Sequence, residues 1–396
     1  MSASHKPVLF FGVNSEGLGH ATRSLPLLQG LADHYDLHVF CGGRAYDFLK
    51  PHVPHIHAVW HLQLIYEDNR LLLHKTIWEA LKTAHRMTVS GFSLAGRCIQ
   101  QEPVAVISDY EPMTAWGALL TGTPIVCIDN QHVITYGDYP APPDKAGKAA
   151  KQVMRNSNFW NHPLKHRTLI SSFFKPPLLP GAEEKGVRYV PTTARPQVLA
   201  RMGRTRTDGP VLVYQTSSSN KDLLGTLGRA YEATGLSFVV YGHGAPEGRQ
   251  TPTGVQLRAF SEETFFDELA AAPFVVVNGG HSTINEALAL GKPVLAEPIR
   301  DQYEQATNVV GLEMLGVGCG TEKLSVEDLI AFQAALPERT RAAANASCVD
   351  NEGVLRAVMQ AIQEVNPSFA VDPNRALLPM RCPVVESASS GHALAA

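Results

Sequence analysis

A short apolar run that enters a glycine-rich turn and continues into a helix constrains the fold of this chain most. Residues 274–277 read Phe-Val-Val-Val and lead into Asn278-Gly279-Gly280, a pattern typical of a buried parallel strand entering a turn. The apolar spacing over residues 284–290 predicts a short helix that Gly291 ends. The unit is therefore strand, glycine turn and helix, which predicts an α/β fold.

The same turn is a candidate anion site. Glycines let a phosphate approach the backbone, and the free N–H groups at a helix start attract negative charge. Glu286 lies on the following helix, where its carboxylate can accept hydrogen bonds from ribose hydroxyls. We therefore interpret the stretch as a nucleotide-diphosphate site. The alternative is that Gly-Gly forms only a tight strand-to-helix turn.

A second unit of the same kind lies near the start of the chain. A strand at residues 8–13 leads into a loop that ends at His20, and a helix follows at about residues 21–34. An imidazole titrates near neutral pH, so a histidine facing a cleft here can act as a general base. The alternative for His20 is that it is only a surface or capping residue. Arg23 could bind an anion, and the alternative is that it is a solvated helix residue.

Polar side chains follow two further apolar strands. Asp109 and Glu111 end the strand at residues 104–109, and a polar cluster ends the strand at residues 124–128. Ligands bind at the carboxyl edge of open α/β sheets, so these residues are candidates for catalysis or substrate binding. The candidates for acceptor binding are Arg23, Tyr66, Asn130, Gln131 and His132.

The alternation of strands and helices occurs in two blocks. We predict an N-terminal Rossmann-like domain over residues 1–190 and a proline-rich linker over 191–209. A second Rossmann-like domain follows over residues 210–365, and a flexible tail over 366–396. The two domains are expected to face each other across a cleft.

Composition removes several classes of function. The 396 residues carry a net charge of -3, so no basic field for nucleic acid is present. Neither glycine loop reads G-x-G-x-x-G, and no Walker A sequence occurs, which disfavours dehydrogenases and ATPases of those types. The six cysteines are scattered and the sixteen histidines show no familiar ligand spacing, so we predict reduced thiols and no metal site.

No apolar run approaches the roughly 20 residues that span a bilayer, and no signal segment precedes the first strand, so we expect a cytoplasmic location. Residues 145–167 combine basic side chains with Phe159 and Trp160. Basic charge beside exposed aromatics favours anionic lipid head groups. The alternative is a solvated helix face.

These motifs together resemble the GT-B glycosyltransferases of family 1/28-like type. Residues 279–287 read Gly-Gly-His-Ser-Thr-Ile-Asn-Glu-Ala and are followed by Gly-Lys-Pro and Asp-Gln, which is similar to the donor-sugar signature of UDP-glycosyltransferases and the peptidoglycan N-acetylglucosaminyltransferase. Residues 17–23, Gly-Leu-Gly-His-Ala-Thr-Arg, look like the first loop of their N-terminal domain. The resemblance covers roughly residues 8–365.

The resemblance implies roles for individual residues. His20 matches the position of the catalytic base, with Asp109 or Glu111 as its orienting group or as an alternative base. The backbone near Phe260 would hold the nucleotide base, and Glu286 the ribose. The remaining donor-site candidates, which include the diphosphate contacts, are Gly19, Ser217, Gly279, Gly280, His281, Ser282, Thr283, Asp301, Gln302 and Gln305.

The implied reaction is an inverting transfer of a hexosyl group from a nucleotide sugar, UDP-linked, to an acceptor hydroxyl, with no metal and no cofactor. The acceptor is not fixed by the sequence; cell-envelope glycan or glycolipid synthesis fits the basic and aromatic segment. Two alternatives stay open. One is a nucleotide-sugar hydrolase, in which water replaces the acceptor. The other is a sugar-nucleotide-binding protein without activity.

Overall fold

Two parallel β-sheets with helices on both faces make up the chain. The computed structural model describes residues 6–67, 70–142, 147–215, 222–243 and 250–369. The first sheet has the strand order β3-β2-β1-β6-β7-β8-β9, and the second has the order β12-β11-β10-β13-β14-β15. The predicted α/β class with two Rossmann-like sheets is confirmed.

The elements of the first half alternate regularly apart from one small hairpin. They are β1 (Val8–Val13), α1 (Gly19–Ala32), β2 (Asp36–Cys41), α2 (Gly43–Leu49), β3 (His55–Ala58), β4 (Tyr66–Glu67), β5 (Arg70–Leu71), α3 (Leu73–Gln101), β6 (Val106–Asp109), α4 (Pro112–Thr121), β7 (Ile125–Asp129), α5 (Val133–Tyr136), α6 (Gly147–Asn161), β8 (Arg167–Ser171) and β9 (Val187–Val190). A 3₁₀ turn, Glu183–Lys185, precedes β9.

The second half begins after β9 and repeats the pattern. Its elements are α7 (Pro196–Leu199), β10 (Val211–Tyr214), α8 (Leu223–Thr234), β11 (Phe238–Tyr241), β12 (Val255–Leu257), α9 (Glu262–Ala271), β13 (Val275–Val277), α10 (His281–Ala289), β14 (Val294–Ala296), α11 (Tyr303–Met314), β15 (Gly318–Gly320), α12 (Val326–Ala334), α13 (Leu336–Ala343) and α14 (Asn351–Val365). The predicted strand, turn and helix around Gly279 are thus β13 and α10.

Alternate residues of each strand enter opposite cores, as expected of a sheet covered on both faces. Leu9 and Phe11 of β1 pack with Leu28 of α1, whereas Phe10 packs with Leu94 of α3 on the other face. Both faces of the strand are fully buried, which explains its continuous apolar run.

The last helix belongs to the first core. Leu355 and Val358 of α14 are buried against Leu9 and Leu28, so the chain crosses back to the N-terminal sheet before it ends. The sequence prediction had placed this helix in the C-terminal domain, over residues 210–365. Sequence periodicity showed that the helix has an apolar face but could not show which sheet covers it.

The two domains are in contact along the carboxyl edges of their sheets. One core cluster combines Phe173 and Phe174 of the first half with Ile284 and Leu312 of the second. Among the described residues, no helix has both the length and the apolar character needed to cross a bilayer. The cysteines of the described residues are unpaired, namely Cys41, Cys98, Cys127, Cys319 and Cys348.

Candidate active site

His20 and Asp109 meet at the carboxyl edge of the first sheet. Strands β1 and β6 are neighbours, with Val13 opposite Asp109. The loop after β1 therefore returns beside the end of β6, and His20 in the first turn of α1 reaches it. The Nδ1 atom of His20 lies 2.9 Å from a carboxylate oxygen of Asp109. The sequence prediction that Asp109 orients His20 agrees with this geometry.

Asp109 is held as a buried anion. Ser24 Oγ donates to it at 2.8 Å and Arg23 Nε at 3.1 Å, and a second guanidinium nitrogen of Arg23 also contacts it. Burial alone would raise the pKa of Asp109, but the charge of Arg23 and the hydrogen bonds from Arg23 and His20 outweigh burial and lower it. Arg23 thus contacts both Asp109 and His20, although the sequence suggests that it binds the acceptor.

Both ring nitrogens of His20 have polar neighbours. Gln131 Nε2 lies 3.1 Å from Glu304, whose carboxylate can only accept, so this atom is the amide nitrogen of Gln131. The same nitrogen lies 3.3 Å from His20 Nε2 and donates to it. Nδ1 has the Asp109 carboxylate at 2.9 Å and Arg23 Nη2, a donor, at 2.8 Å, so it can donate to Asp109 or accept from Arg23. The tautomer with the proton on Nδ1 serves Asp109 and Gln131 together and leaves the lone pair at Nε2. A lone pair at Nε2 is what a general base needs.

The second domain closes over this pair with the turn that precedes α10. Ser282 Oγ donates to the carbonyl of Gly19 at 2.9 Å. Gln305 is buried and accepts from the Gly279 N–H at 3.2 Å, so it supports the turn from behind. No side chain of the described residues caps the start of α10, so its first turn is available to an anion.

His281 is the clearest sign of a ligand at this turn. It is 5% exposed, and within the described part of the chain neither ring nitrogen has a hydrogen-bond partner. Burial, with the nearby charges of Arg23 and His20, lowers the pKa of His281 well below its usual value. The ring is therefore neutral and offers one N–H donor, without a positive charge, to a group that enters the cleft.

Glu286 is engaged by a residue that the sequence did not single out. Arg195 Nε and Nη2 donate to its two carboxylate oxygens at 2.7 and 2.8 Å, and Arg195 also binds Glu262 at 2.8 Å. The predicted ribose ligand is thus one half of a buried bidentate ion pair. In this state Glu286 binds ribose only if it shares its oxygens with Arg195 or releases it.

Two predicted residues are placed away from the cleft. Glu111 is buried and accepts from Met113 N at 2.9 Å and Thr114 N at 2.7 Å, so it caps α4 and is not positioned as a base. His132 is fully buried, and its Nδ1 lies 2.7 Å from Asp129. Both are polar residues at a strand end, but their side chains turn inward to bond their own loop.

Four further candidates, Asn130, Asp301, Gln302 and Phe260, have different surroundings. Asn130 is buried and donates to Asn308 of the second domain at 3.3 Å. Asp301 has a φ of 65° and forms an ion pair with Arg70, whereas Gln302 Oε1 is buried and has no partner among the described residues. The ring of Phe260 is 58% exposed and lies 6.5 Å from that of Tyr214 between centroids.

Gly280 and Thr283 lie at the start of α10, beside His281. Ser217 lies outside the described residues. For Tyr66 only the backbone is described, as part of β4.

Two cavities lie among the described residues of the N-terminal domain and of the domain contact. A cavity of about 10 Å³, roughly the space of one water, lies between Arg23, Arg195, His281 and Glu286. A larger cavity of about 1020 Å³ lies in the N-terminal domain between β3 and α3, with Ile56, His57 and Arg97 among its lining residues.

Sequence reasoning missed Ser24, Arg195 and Glu304 at this site. Ser24 lies one turn after His20 on α1, so a helical-wheel projection would have placed it near Asp109. Glu304 lies within the Asp301 to Gln305 segment that was noted. Arg195 offered no local signal, because it lies in the proline-rich linker and reaches Glu286 only through the fold.

Comparison with known proteins agrees with this architecture. Residues 8–337 match the family described as Glycosyl transferase family 1. A PGL/p-HBAD biosynthesis glycosyltransferase of Mycobacterium tuberculosis is 34% identical over 131 residues, which is 32% of this chain and 29% of that protein. An uncharacterized glycosyltransferase of Methanosarcina mazei is 36% identical over 70 residues, 18% of each chain. The chain thus aligns with less than a third of these relatives.

Solved structures share the fold over nearly the whole chain. MurG of Acinetobacter baumannii superposes with a TM-score of 0.59 at 16% identity, covering 91% of this chain and 99% of MurG. UGT2 of Phytolacca americana, solved with UDP-2fluoro-glucose and pterostilbene, gives 0.64 at 15% identity, covering 92% of this chain and 100% of UGT2. On the family match, which extends over most of its length, this chain belongs to glycosyl transferase family 1 and is a glycosyltransferase with the GT-B fold.

Proposed function

We propose that the enzyme transfers a hexosyl group from a UDP-sugar to an acceptor hydroxyl with inversion, without a metal or cofactor. The observation that carries the proposal is the position of His20. Its Nδ1 is bound to the buried Asp109 anion, and it lies beside the uncapped start of α10. A base and an anion site on opposite walls of one cleft are what a direct displacement at a sugar carbon requires.

In the reaction, His20 Nε2 takes the proton of the acceptor hydroxyl as the oxygen attacks the anomeric carbon. The bond from that carbon to the diphosphate oxygen breaks, and the configuration inverts. Asp109 stabilises the imidazolium that forms, through the hydrogen bond at Nδ1. The start of α10 and the His281 N–H would bind the departing diphosphate.

UDP as the donor nucleotide is supported by the donor-sugar signature around Glu286 and by UGT2, a neighbour in fold that was solved with UDP-2fluoro-glucose. Asp301 and Gln302 would bind the sugar hydroxyls. A thermal-shift panel of nucleotide sugars tests this part, because a ligand that binds only the folded state raises the melting temperature. A shift with another nucleotide sugar and none with UDP-sugars would contradict it.

Replacement of His20 tests the base directly. We expect His20→Ala to lower the transfer rate by about 10²–10⁴-fold, the usual contribution of a general base, while donor binding by thermal shift stays unchanged. Near-full transfer activity of His20→Ala would show that another group is the base. Release of free sugar and UDP with every acceptor fraction would instead indicate a hydrolase, and donor binding without turnover a binding protein.

We further propose that the acceptor is carried by a membrane. Helices α3 and α6 expose large apolar side chains, each between 60% and 65% exposed, at Trp78, Leu81, Phe92, Phe159 and Trp160. Trp116 of α4 joins the two helices, since its ring centroid lies 5.8 Å from that of Trp160. Basic side chains of the same helices, including Lys82, Arg86 and Arg155, are exposed and complement anionic head groups. The enzyme would then act at the cytoplasmic surface of the membrane, in cell-envelope glycan or glycolipid synthesis.

Vesicle sedimentation tests this surface. We expect co-sedimentation with phosphatidylglycerol vesicles, weaker binding to phosphatidylcholine, and a loss of binding in Phe92→Ser/Trp160→Ser. A matched control is Met314→Ser, which removes an exposed apolar side chain on α11 in the other domain. Equal binding by the double variant and the wild type would place the contact elsewhere.

A further inference from the structure

Three potential metal ligands meet at the edge of the first sheet, away from the cleft. Asp36 and His38 lie on one face of β2, and His55 begins the edge strand β3 with His38 as its cross-strand partner. One ligand atom from each residue lies within 4.8 Å of the others. A parallel register therefore gathers two histidines and a carboxylate at one point.

The separations between these atoms suit a small dication. His55 Nε2 lies 3.4 Å from Asp36 Oδ1, and His38 Nε2 lies 3.7 Å from the same oxygen. Ligands at about 2.0–2.2 Å from a tetrahedral ion are about 3.3–3.6 Å apart. The two separations, 3.4 and 3.7 Å, therefore lie in or near this range.

A fourth residue, His57, orients one of the ligands. His57 lies two residues after His55 on the same face of β3, and its Nε2 is 3.0 Å from His38 Nδ1. A hydrogen bond at Nδ1 fixes the ring of His38 with Nε2 directed at Asp36. Metal-bound histidines almost always have such a partner on their other ring nitrogen.

We propose that Asp36, His38 and His55 bind a divalent transition-metal ion, Zn²⁺ in particular, with solvent in the fourth position. Two imidazoles and one carboxylate favour Zn²⁺ over Mg²⁺ or Ca²⁺, which prefer oxygen ligands alone. The side chain of His55 is 50% exposed, so an ion and its water can reach the site from solvent.

The ion would lie apart from the cleft. Its ligands lie at the amino-terminal ends of β2 and β3, whereas His20 and Asp109 lie at the carboxyl edge of the same sheet. An ion there ties the edge strand to the sheet. Through His38 it also positions His57, which lines the cavity of about 1020 Å³ beside α3. The proposal is independent of the transfer reaction.

Calorimetric titration of the chelator-treated full chain with Zn²⁺ tests the site. We expect one equivalent to bind, and tetrahedral Co²⁺ absorption when Co²⁺ replaces Zn²⁺. His55→Ala and Asp36→Asn should weaken binding at least as much as loss of the orienting group, which typically costs 10–100-fold in affinity. His57→Phe should weaken binding by about that factor, and His57→Gln, which can still accept from His38 Nδ1, should restore it.

Two controls make the test specific. His52→Ala removes an exposed histidine outside the cluster and should leave the affinity for Zn²⁺ unchanged. His162→Gln alters the buried cluster of Asp129, His132 and His162, whose atoms also lie within 4.8 Å of one another. Unchanged affinity in both His55→Ala and Asp36→Asn, or a loss confined to His162→Gln, would overturn the proposal.

Discussion

Asp109 contacts His20, the proposed base, through one hydrogen bond at Nδ1. Its carboxylate favours the His20 tautomer with the proton on Nδ1, whereas an amide in its place can present either a donor or an acceptor to that nitrogen. We expect Asp109→Asn to lower kcat by about 10²–10⁴-fold with a smaller change in the KM for donor. Initial rates of nucleotide release measure the effect.

Ser24→Ala is the matched control for this substitution, because it removes a different hydrogen bond from the same carboxylate. Its kcat should stay close to that of the wild type. Circular dichroism of both variants shows whether the fold persists without the Asp109 charge beside Arg23. A folded Asp109→Asn enzyme with wild-type kcat would disprove the role of Asp109.

His162 gives the stability of the protein a dependence on pH. Burial, with the charges of His132 and Lys165, lowers its pKa to about 3 from an ordinary value of about 6.5. Below pH 6.5 the unfolded chain binds a proton that the folded chain does not. The free energy of unfolding should therefore be highest above pH 6.5 and fall by about 1.4 kcal/mol per pH unit towards pH 3 from this residue alone.

Urea denaturation between pH 7 and pH 5 measures this slope. His162→Gln keeps a side-chain amide for the hydrogen bond to Ser108 and cannot titrate, so its slope should be shallower by about one proton. Parallel slopes for the two proteins would mean that other groups cause the loss at acid pH. The pKa values of His132 and His281 are also lowered by burial, so stability still depends on pH to some degree in the variant.

Candidate site residues could be predicted where a local sequence pattern places them at the end of a strand. His20 and Asp109 each follow a strand of a parallel sheet, and adjacency of β1 and β6 brings them together. The direction of a side chain could not be predicted in the same way. Glu111 also follows the end of a strand. Its carboxylate nevertheless accepts from a free backbone N–H at the start of α4 instead of facing the cleft.

Among the helices, α14 shows that the periodicity of apolar residues does not reveal which sheet a helix packs against. Leu355 is 2% exposed and packs beside α1, where its Cδ2 lies 2.8 Å from the place a Cβ on Gly30 would occupy. Leu355→Ala should lower the free energy of unfolding by about 2–5 kcal/mol, as expected for a buried leucine. Urea denaturation followed by circular dichroism measures the change.

Leu120→Ala is the control for this measurement, because Leu120 is 56% exposed on α4. It should change stability by no more than about 0.5 kcal/mol. If Leu355→Ala were equally mild, α14 would not be part of the N-terminal core. The position of α14 depends on contacts across hundreds of residues, which no local pattern records.

The sequence alone does not reveal the proposed metal ligands on β2 and β3, for a related reason. Asp36 and His38, like His55 and His57, are spaced by two, so each pair shares a face of its strand. The spacing becomes a candidate site only when register places His38 opposite His55. Searches for helical or zinc-finger spacing do not include this arrangement.

For the whole molecule, the small cavity beside His281 leads us to expect that the domains separate before a donor phosphate reaches this side chain. The free volume between Arg195 and His281 is about 10 Å³, far below the roughly 300 Å³ or more of a small-molecule site. A disulfide across the cleft should therefore prevent entry. Cβ of Ser282 lies 3.8 Å from the position of a Cβ built on Gly19, which matches disulfide geometry.

We expect oxidised Gly19→Cys/Ser282→Cys to lose donor binding by thermal shift and to regain it after reduction with dithiothreitol. Comparison of the same protein in two redox states removes the effect of the substitutions themselves. Either single variant should be insensitive to oxidant, because it lacks the second engineered thiol. Donor binding by the fully cross-linked protein would show that the closed state admits the ligand.

The return of the chain through α14 has a consequence for how such enzymes can be recombined. Thr192 and Val349 form a parallel bridge, with Thr192 N donating to Cys348 O at 3.0 Å and Asp350 N to Thr192 O at 3.0 Å. The chain thus enters the second domain near Thr192 and leaves it near Val349, at two neighbouring points. Because the described chain passes between the domains at these two neighbouring segments, we expect the second domain to be exchangeable as one piece for that of another family member. If that domain binds the donor, as proposed, the exchange should change the nucleotide-sugar preference and leave the acceptor preference unchanged.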